Sequence, residues 1–295
     1  MYVAINYIPK INDMKKIDKI LVPTDFSESA ENAFCYAIEL AKVTKASIVL
    51  YHVFKPFESA FTTQSQADAD NQQHTTEMLQ ALQEMKETFG KNAEHISLHI
   101  DKGAEESSLL QYCRQHHIDW MVMGTTGASG IKEVAVGSFT AHMMRNADVP
   151  VLAVPDNYTF SMPAKITFAT DYNSKDLQAL TYLNSWNNAY FGATIQLLHI
   201  DKYEKDKDAQ EKALQQFREK VTHHLGASGN ITFRHEPGDH ITQALLQITL
   251  NDKTDILVVK PEKREGWWNK LFQKSITEGT AHHVHIPLLS IPEND

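Results

Sequence analysis

Gly124-Thr-Thr-Gly127, followed after nine residues by Gly137-Ser138, is the group whose residue types and spacing could do chemistry. Two glycines three apart let a backbone pass close to a ligand, because no Cβ stands in the way. A further Gly-Ser pair opening a helix adds backbone N–H groups, a hydroxyl and the positive end of a helix dipole. Together these are the parts of a phosphate cradle. They do not make a Walker loop, since no lysine follows the last glycine. Glycines also punctuate ordinary loops, so the pattern gains weight only from the elements around it.

Those elements alternate. Lys19–Asp25 reads as a short strand ending in Pro23-Thr24-Asp25, and Ser27 is placed to cap a helix over Glu28–Lys42. Ser47–Val53 is a second strand. Phe54–Thr75 is polar and reads as a long surface loop, with a helix expected over Thr76–Phe89. Ile96–Ile100, Ser107–His116 and Asp119–Met123 follow as strand, helix and strand. A helix over Phe139–Asn146 and a strand over Val149–Val154 close the unit. Alternation of this kind builds a mostly parallel sheet with helices on both faces.

After a linker at Pro155–Ala164 the pattern restarts. Lys165–Asp171 repeats Lys19–Asp25, Thr194–Ile200 repeats Ser47–Val53, and Ile231–Gly238 repeats Ile96–Gly103. Asp255–Val259 and Pro287-Leu-Leu then repeat Asp119–Met123 and Pro150-Val-Leu in the same order. The chain reads as a tandem duplication. Its units are 17–155 and 165–292, preceded by an aperiodic extension over 1–16, of which Met1–Asp13 are expected to be dispensable.

The totals fit two such units. A length of 295 residues, 42% hydrophobic and 22% charged, describes an ordinary globular chain. A net charge of −9 offers no basic surplus for coating nucleic acid. No apolar run approaches the roughly 20 residues of a membrane span, and Met1–Asn12 lacks the order of a signal peptide. Cys35 and Cys113 form no CxxC and suit a reducing interior. A cytoplasmic protein that binds neither nucleic acid nor membrane is the expectation.

The strand end Pro23-Thr24-Asp25-Phe26-Ser27, the Leu50-Tyr-His-Val53 strand end and the Gly124-x-x-Gly127-(nine)-Gly137-Ser138 signature resemble the universal stress protein family. The resemblance covers nearly the whole chain after Ile17, as two copies. It implies an adenine-nucleotide α-hydrolase-like α/β fold: two tandem doubly wound open sheets, each of five mostly parallel strands. Nucleotide would bind at the carboxyl ends of the strands, as it does in such sheets generally. By resemblance, Asp25, next to Thr24, accepts hydrogen bonds from ribose hydroxyls or the adenine edge. Val53 meets adenine through its backbone, with Pro23 and Met123 as apolar walls. Gly124, Gly127, Gly137 and Ser138 hold the phosphates, and the backbones of Phe139 and Thr140 add donors. The cofactor expected is ATP, with AMP and ADP as alternatives and Mg²⁺ accompanying the nucleotide. Pairing through the last strand of each unit would make an intramolecular pseudo-dimer, a further homodimer being the alternative, and a protein partner is expected.

The second copy keeps Asp171 but has Lys260-Pro-Glu-Lys263 in place of the glycine loop and Lys274 in place of Gly137. Proline removes an N–H donor and the other residues put side chains where the cradle would be. One nucleotide site per chain follows, in the first copy. Trp267, Trp268, Leu271 and Phe272 beside the broken loop would fill the space. Among fifteen histidines, His282 and His285 have helical ligand spacing, but no third ligand completes a metal site. His52 and His199, at equivalent strand ends, suggest a structural role shared by both copies. No positioned nucleophile or base marks an enzyme. A regulatory nucleotide sensor is the expectation; a slow ATPase or self-phosphorylating enzyme (Thr125, Thr126, Ser129) and a nucleotide-free interaction module are the alternatives.

Overall fold

Apolar runs too short for helices become strands buried on both faces, because helices cover both sides of the sheet they form. The computed structural model describes residues 16–57, 63–91, 95–125, 136–156, 158–201, 207–226, 230–238, 240–261 and 285–293. In the first half β1 (Lys19–Pro23), α1 (Glu28–Thr44), β2 (Ser47–Phe54), α2 (Gln64–Phe89) and β3 (Ile96–Lys102) come first. They are followed by α3 (Glu105–Gln115), β4 (Trp120–Gly124), α4 (Ser138–Asn146) and β5 (Val151–Val154).

The second half repeats the order. It comprises β6 (Lys165–Ala169), α5 (Ser174–Trp186), β7 (Thr194–Asp201), α6 (Lys207–Leu225), β8 (Ile231–Pro237), α7 (Ile241–Asn251), β9 (Ile256–Val259) and β10 (Leu288–Ser290). A π-helical turn at Asn187–Phe191 extends α5.

All the strands join in one ten-stranded sheet, ordered β3-β2-β1-β4-β5-β10-β9-β6-β7-β8. Each half is a parallel five-stranded sheet whose strand order reverses between β1 and β4, or between β6 and β9. The halves meet where β5 runs antiparallel to β10, with Leu152 opposite Leu289. The two expected sheets are therefore one continuous sheet, and the expected pairing of the last strands is its seam. One face packs α1, α2, α5 and α6 around residues such as Phe34, Trp120, Phe168 and Phe217. The other packs α3, α4 and α7 around Tyr51, Met121, Met143 and Leu257.

One expectation needs correction. The loop expected at Phe54–Thr75 is in large part helix, since α2 starts at Gln64. Thr63 and Gln66 close a capping box there, and Gln–Asp and Gln–Glu pairs four apart lace the exposed surface. The linker packs against the first half. Asn32 on α1 donates to the carbonyls of Pro155 and Tyr158, and Phe160 meets Tyr36 edge-on at 5.1 Å. Met1–Asp13, whose dispensability was expected, lie outside the described residues.

Candidate functional site

The carboxyl ends of β1 and β4 are neighbours, because the two strands pair from Ile20–Trp120 onward. Helix α1 departs from the first end on one face, and α4 covers the second on the other. Such a topological reversal leaves a crevice at the strand ends. Pro23, Thr24, Asp25, Val53, Met123, Gly124 and the start of α4 are brought to this edge; Gly127 lies outside the described residues.

Thr24 is buried, and its N–H donates to the Tyr51 carbonyl at 2.9 Å, the last rung between β1 and β2. Its own carbonyl meets His52 Nδ1 at 2.8 Å. A carbonyl only accepts, so Nδ1 carries the proton and His52 locks the bend after β1. Phe26 takes a left-handed conformation, φ 62°, which turns the chain sharply into α1. Exposed Asp25 sits on that bend. Its Oδ1 accepts from the Ser27 N–H at 3.1 Å and the Ser27 hydroxyl at 2.6 Å. The sequence Pro-Thr-Asp-Phe-Ser thus makes a rigid turn that carries a carboxylate at its tip.

Alternate residues of a parallel strand direct their backbone groups to the same neighbour. Tyr51 faces β1 and Phe54 faces β3, whose following Gly103 donates to the Phe54 carbonyl at 3.0 Å. Val53 therefore points its N–H and C=O toward β1's side, beyond the point where β1 has turned away. Its side chain is half-buried on the α3/α4 face, beside Phe139. Met123, expected as an apolar wall, is buried in that same core.

Gly124 is required by packing. A Cβ there would lie 2.3 Å from Ser29 Oγ and 2.8 Å from the Ser29 carbonyl oxygen, so β4 touches α1 directly. At α4 the Thr140 hydroxyl donates to the Gly124 carbonyl at 2.8 Å, and the Gly137 N–H is committed to the Thr125 carbonyl at 2.5 Å. The first bond within the helix runs from Ala141 to Gly137. The N–H groups of Ser138, Phe139 and Thr140 thus have no intrahelical acceptor, and Gly137 at the cap position offers no side chain to take them. This end of α4 presents three donors and a dipole to the strand-end crevice, which suits a phosphate. The donors expected of Gly137 itself are spent.

The second half uses the equivalent places differently. His199 Nδ1 meets the Thr170 carbonyl at 2.6 Å, as His52 does in the first half, and Tyr172 repeats the left-handed bend at φ 60°. Where the first half has Gly124, Lys260 extends a side chain beneath α5. Its ammonium lies 2.7 Å from Asp176 Oδ1 and 3.0 Å from Asn173 Oδ1. Asp176 Oδ2 in turn accepts from the Thr170 hydroxyl and the Asp171 N–H. Lys260 and Asp176 form a buried ion pair, 6% and 2% exposed at their side chains. The position filled by a close backbone approach in one half is filled by a salt bridge in the other. Lys263, Arg264, Trp267, Trp268, Leu271, Phe272, Lys274, His282 and His283 lie outside the described residues.

Sequence reasoning missed one group. His199, Asp201 and His235 stand together at the ends of β7 and β8, all their candidate ligand atoms within 4.8 Å of one another. His199 and His235 are far apart in the chain and meet only through strand register, so no spacing rule exposes them.

An open parallel α/β sheet with a donor-rich helix start at its strand-order reversal is an architecture that can receive a ligand at its strand ends. Residues 16–155 match the model of the universal stress protein family. The match spans the first half of the chain. It is 28% identical over 145 residues to universal stress protein MJ0531 of Methanocaldococcus jannaschii, covering 46% of this chain and 81% of that one. It is 26% identical over 147 residues to universal stress protein YxiE of Bacillus subtilis, covering 46% of this chain and 98% of that one. The fold of both halves together is like that of a universal stress protein from Archaeoglobus fulgidus, with a TM-score of 0.65 at 18% identity, over 95% of this chain and 98% of that one. Among the described residues no helix is long and apolar enough to cross a membrane.

Proposed function

We propose that the first half binds one adenine nucleotide, ATP by preference, and that its occupancy regulates a contact with another protein. The observation that carries this reading is the start of α4, where three N–H donors face the crevice that Asp25 and the Val53 backbone also border. Asp25 would take ribose hydroxyls, since a carboxylate only accepts and suits paired donors. Val53 would offer the adenine edge one donor and one acceptor. Ser138, Phe139 and Thr140 would hold phosphate oxygens, and Mg²⁺ would offset the remaining charge. Gly124 and Gly137 serve this site indirectly, the one by letting β4 lie against α1 and the other by starting α4 without a side-chain cap.

The second half differs at the position equivalent to Gly124. Lys260 occupies the Gly124 position and Pro261 follows it without an N–H. The ammonium is held by Asp176, so it is not available to an anion at the strand ends. Asp25, the one carboxylate among the proposed contacts, is assigned to the ribose and not to the phosphates, which favours a sensor over a fast enzyme.

Calorimetric titration of the full chain with MgATP tests the proposal. One ATP per chain is expected, with binding lost in Asp25→Ala and kept in Asp171→Ala. Two equivalent sites, or loss of binding on changing Asp171 alone, would refute it.

A further inference from the structure

Beneath α6 the second half holds a group of side chains that the first half lacks. His199 and Asp201 alternate along β7, so both project from the face that α5 and α6 cover. His235 is the register partner of His199 on β8. In the first half His52 corresponds to His199, but Phe54 stands in place of Asp201, and Ile100, the register partner of His52, in place of His235. An apolar pair has been exchanged for a carboxylate and an imidazole.

The exchanged groups converge. Asp201 Oδ2 lies 3.1 Å from His199 Nε2 and 3.6 Å from His235 Nε2. His199 Nδ1 carries its proton toward the Thr170 carbonyl at 2.6 Å, so in the neutral ring Nε2 presents a lone pair to a carboxylate oxygen. Two electron-rich atoms at that distance call for a proton or a metal ion between them. A backbone carbonyl that fixes a histidine's tautomer in this way is the usual outer partner of a metal ligand. Asp201 and His199 are only 5% and 8% exposed, and a carboxylate so far from water is favoured by positive charge beside it.

The distances suit a small ion. Ligands held about 2.0–2.1 Å from a tetrahedral zinc stand roughly 3.3 Å from one another; the two carboxylate–imidazole separations bracket that value, and the two imidazole nitrogens lie within 4.8 Å of each other. His199 and Asp201 also border a cavity of about 370 Å³, whose wall includes Tyr172, Gln210, Phe217 and Lys220. A fourth coordination position would open into it. Two imidazoles and one carboxylate leave a divalent ion with net positive charge, which a water or a small anion in the cavity would complete.

We propose that the second half binds one divalent transition-metal ion, zinc by its ligand chemistry, through His199 Nε2, His235 Nε2 and Asp201 Oδ2. The half without a nucleotide cradle is then a ligand-binding domain of another kind, and the chain senses two species. The proposal is independent of the nucleotide reading, because its test uses no nucleotide.

The full chain is stripped with chelator, then titrated calorimetrically with Zn²⁺ and spectroscopically with Co²⁺. One tight equivalent is expected, together with the intense visible absorption of tetrahedral cobalt. His235→Gln and Asp201→Asn should each weaken uptake by at least about 10–100-fold, the range that losing even an outer partner costs. His223→Ala with His224→Ala, on the exposed surface of α6, should leave it unchanged. His235 is half-buried on an edge strand, so His235→Gln is expected to fold, which circular dichroism checks. No tight equivalent in the parent, a weak octahedral-type spectrum, or uptake undiminished in folded His235→Gln overturns the proposal in favour of a plain imidazolium–carboxylate pair.

Discussion

Lys260 shows most plainly how one residue decides what a half can do. Its ammonium is balanced by Asp176, which also caps α5 and accepts from the Thr170 hydroxyl and Asp171 N–H. Removing one member of a buried pair strands the other, so Lys260→Ala is expected to cost about 3–5 kcal/mol. Thermal unfolding would read this, and a change under 1 kcal/mol would mean that the pair is solvated. Gly124 is the matching constraint in the first half, where contact with Ser29 leaves no space for a methyl group. A binding defect in a Gly124 variant would therefore report altered packing of β4 on α1. Cys113 is a third case. Burial, then Asp148, pushes its thiol up to about 12 from 9.0. Its contribution to stability should be complete below pH 9.0 and lost as the pH climbs toward about 12. Cys113→Ala should flatten that part of the alkaline unfolding curve, and native Cys113 should resist thiol reagents at neutral pH.

Among the elements, α2 diverges furthest from its sequence pattern. Of its 26 residues only Leu82 and Met85 are buried, so its amino-terminal part carries no apolar stripe to betray a helix. That part is held by local means: the Thr63–Gln66 box and side-chain pairs four apart. Losing such a cap costs typically about 1 kcal/mol. Thr63→Ala should speed hydrogen exchange across the first turns of α2 while leaving the amides around Leu82 protected. Uniform loss of protection along the helix would show instead that it unfolds as one unit.

At the scale of the molecule, the seam between β5 and β10 turns two sheets into one. Val151–Val154 are all buried there, and Trp120 meets Trp186 edge-on at 5.0 Å across the halves. Cutting the chain would convert β5 into an exposed apolar edge, and such edges pair with whatever strand is offered. Residues 16–164 expressed alone should therefore dimerise through β5. Light scattering that finds a stable monomer would show that the seam contributes little to covering that edge.

Strands, their order in the chain, the capped start of α1 and the duplication were legible in the sequence, because each is written in local residue types: apolar runs, a Ser cap, repeated blocks. The histidines at the two equivalent strand ends were legible for the same reason, as was the strand-end Asp25. Tertiary structure alone decided the rest. It showed that the Gly137 N–H is already used and that Gly124 answers to Ser29, since hydrogen-bond partners and close approaches belong to elements distant in sequence. It sent Lys260 inward to Asp176, a choice that depends on where α5 lies. It also brought His235 beside His199 and Asp201, through a strand register that local residue types do not reveal.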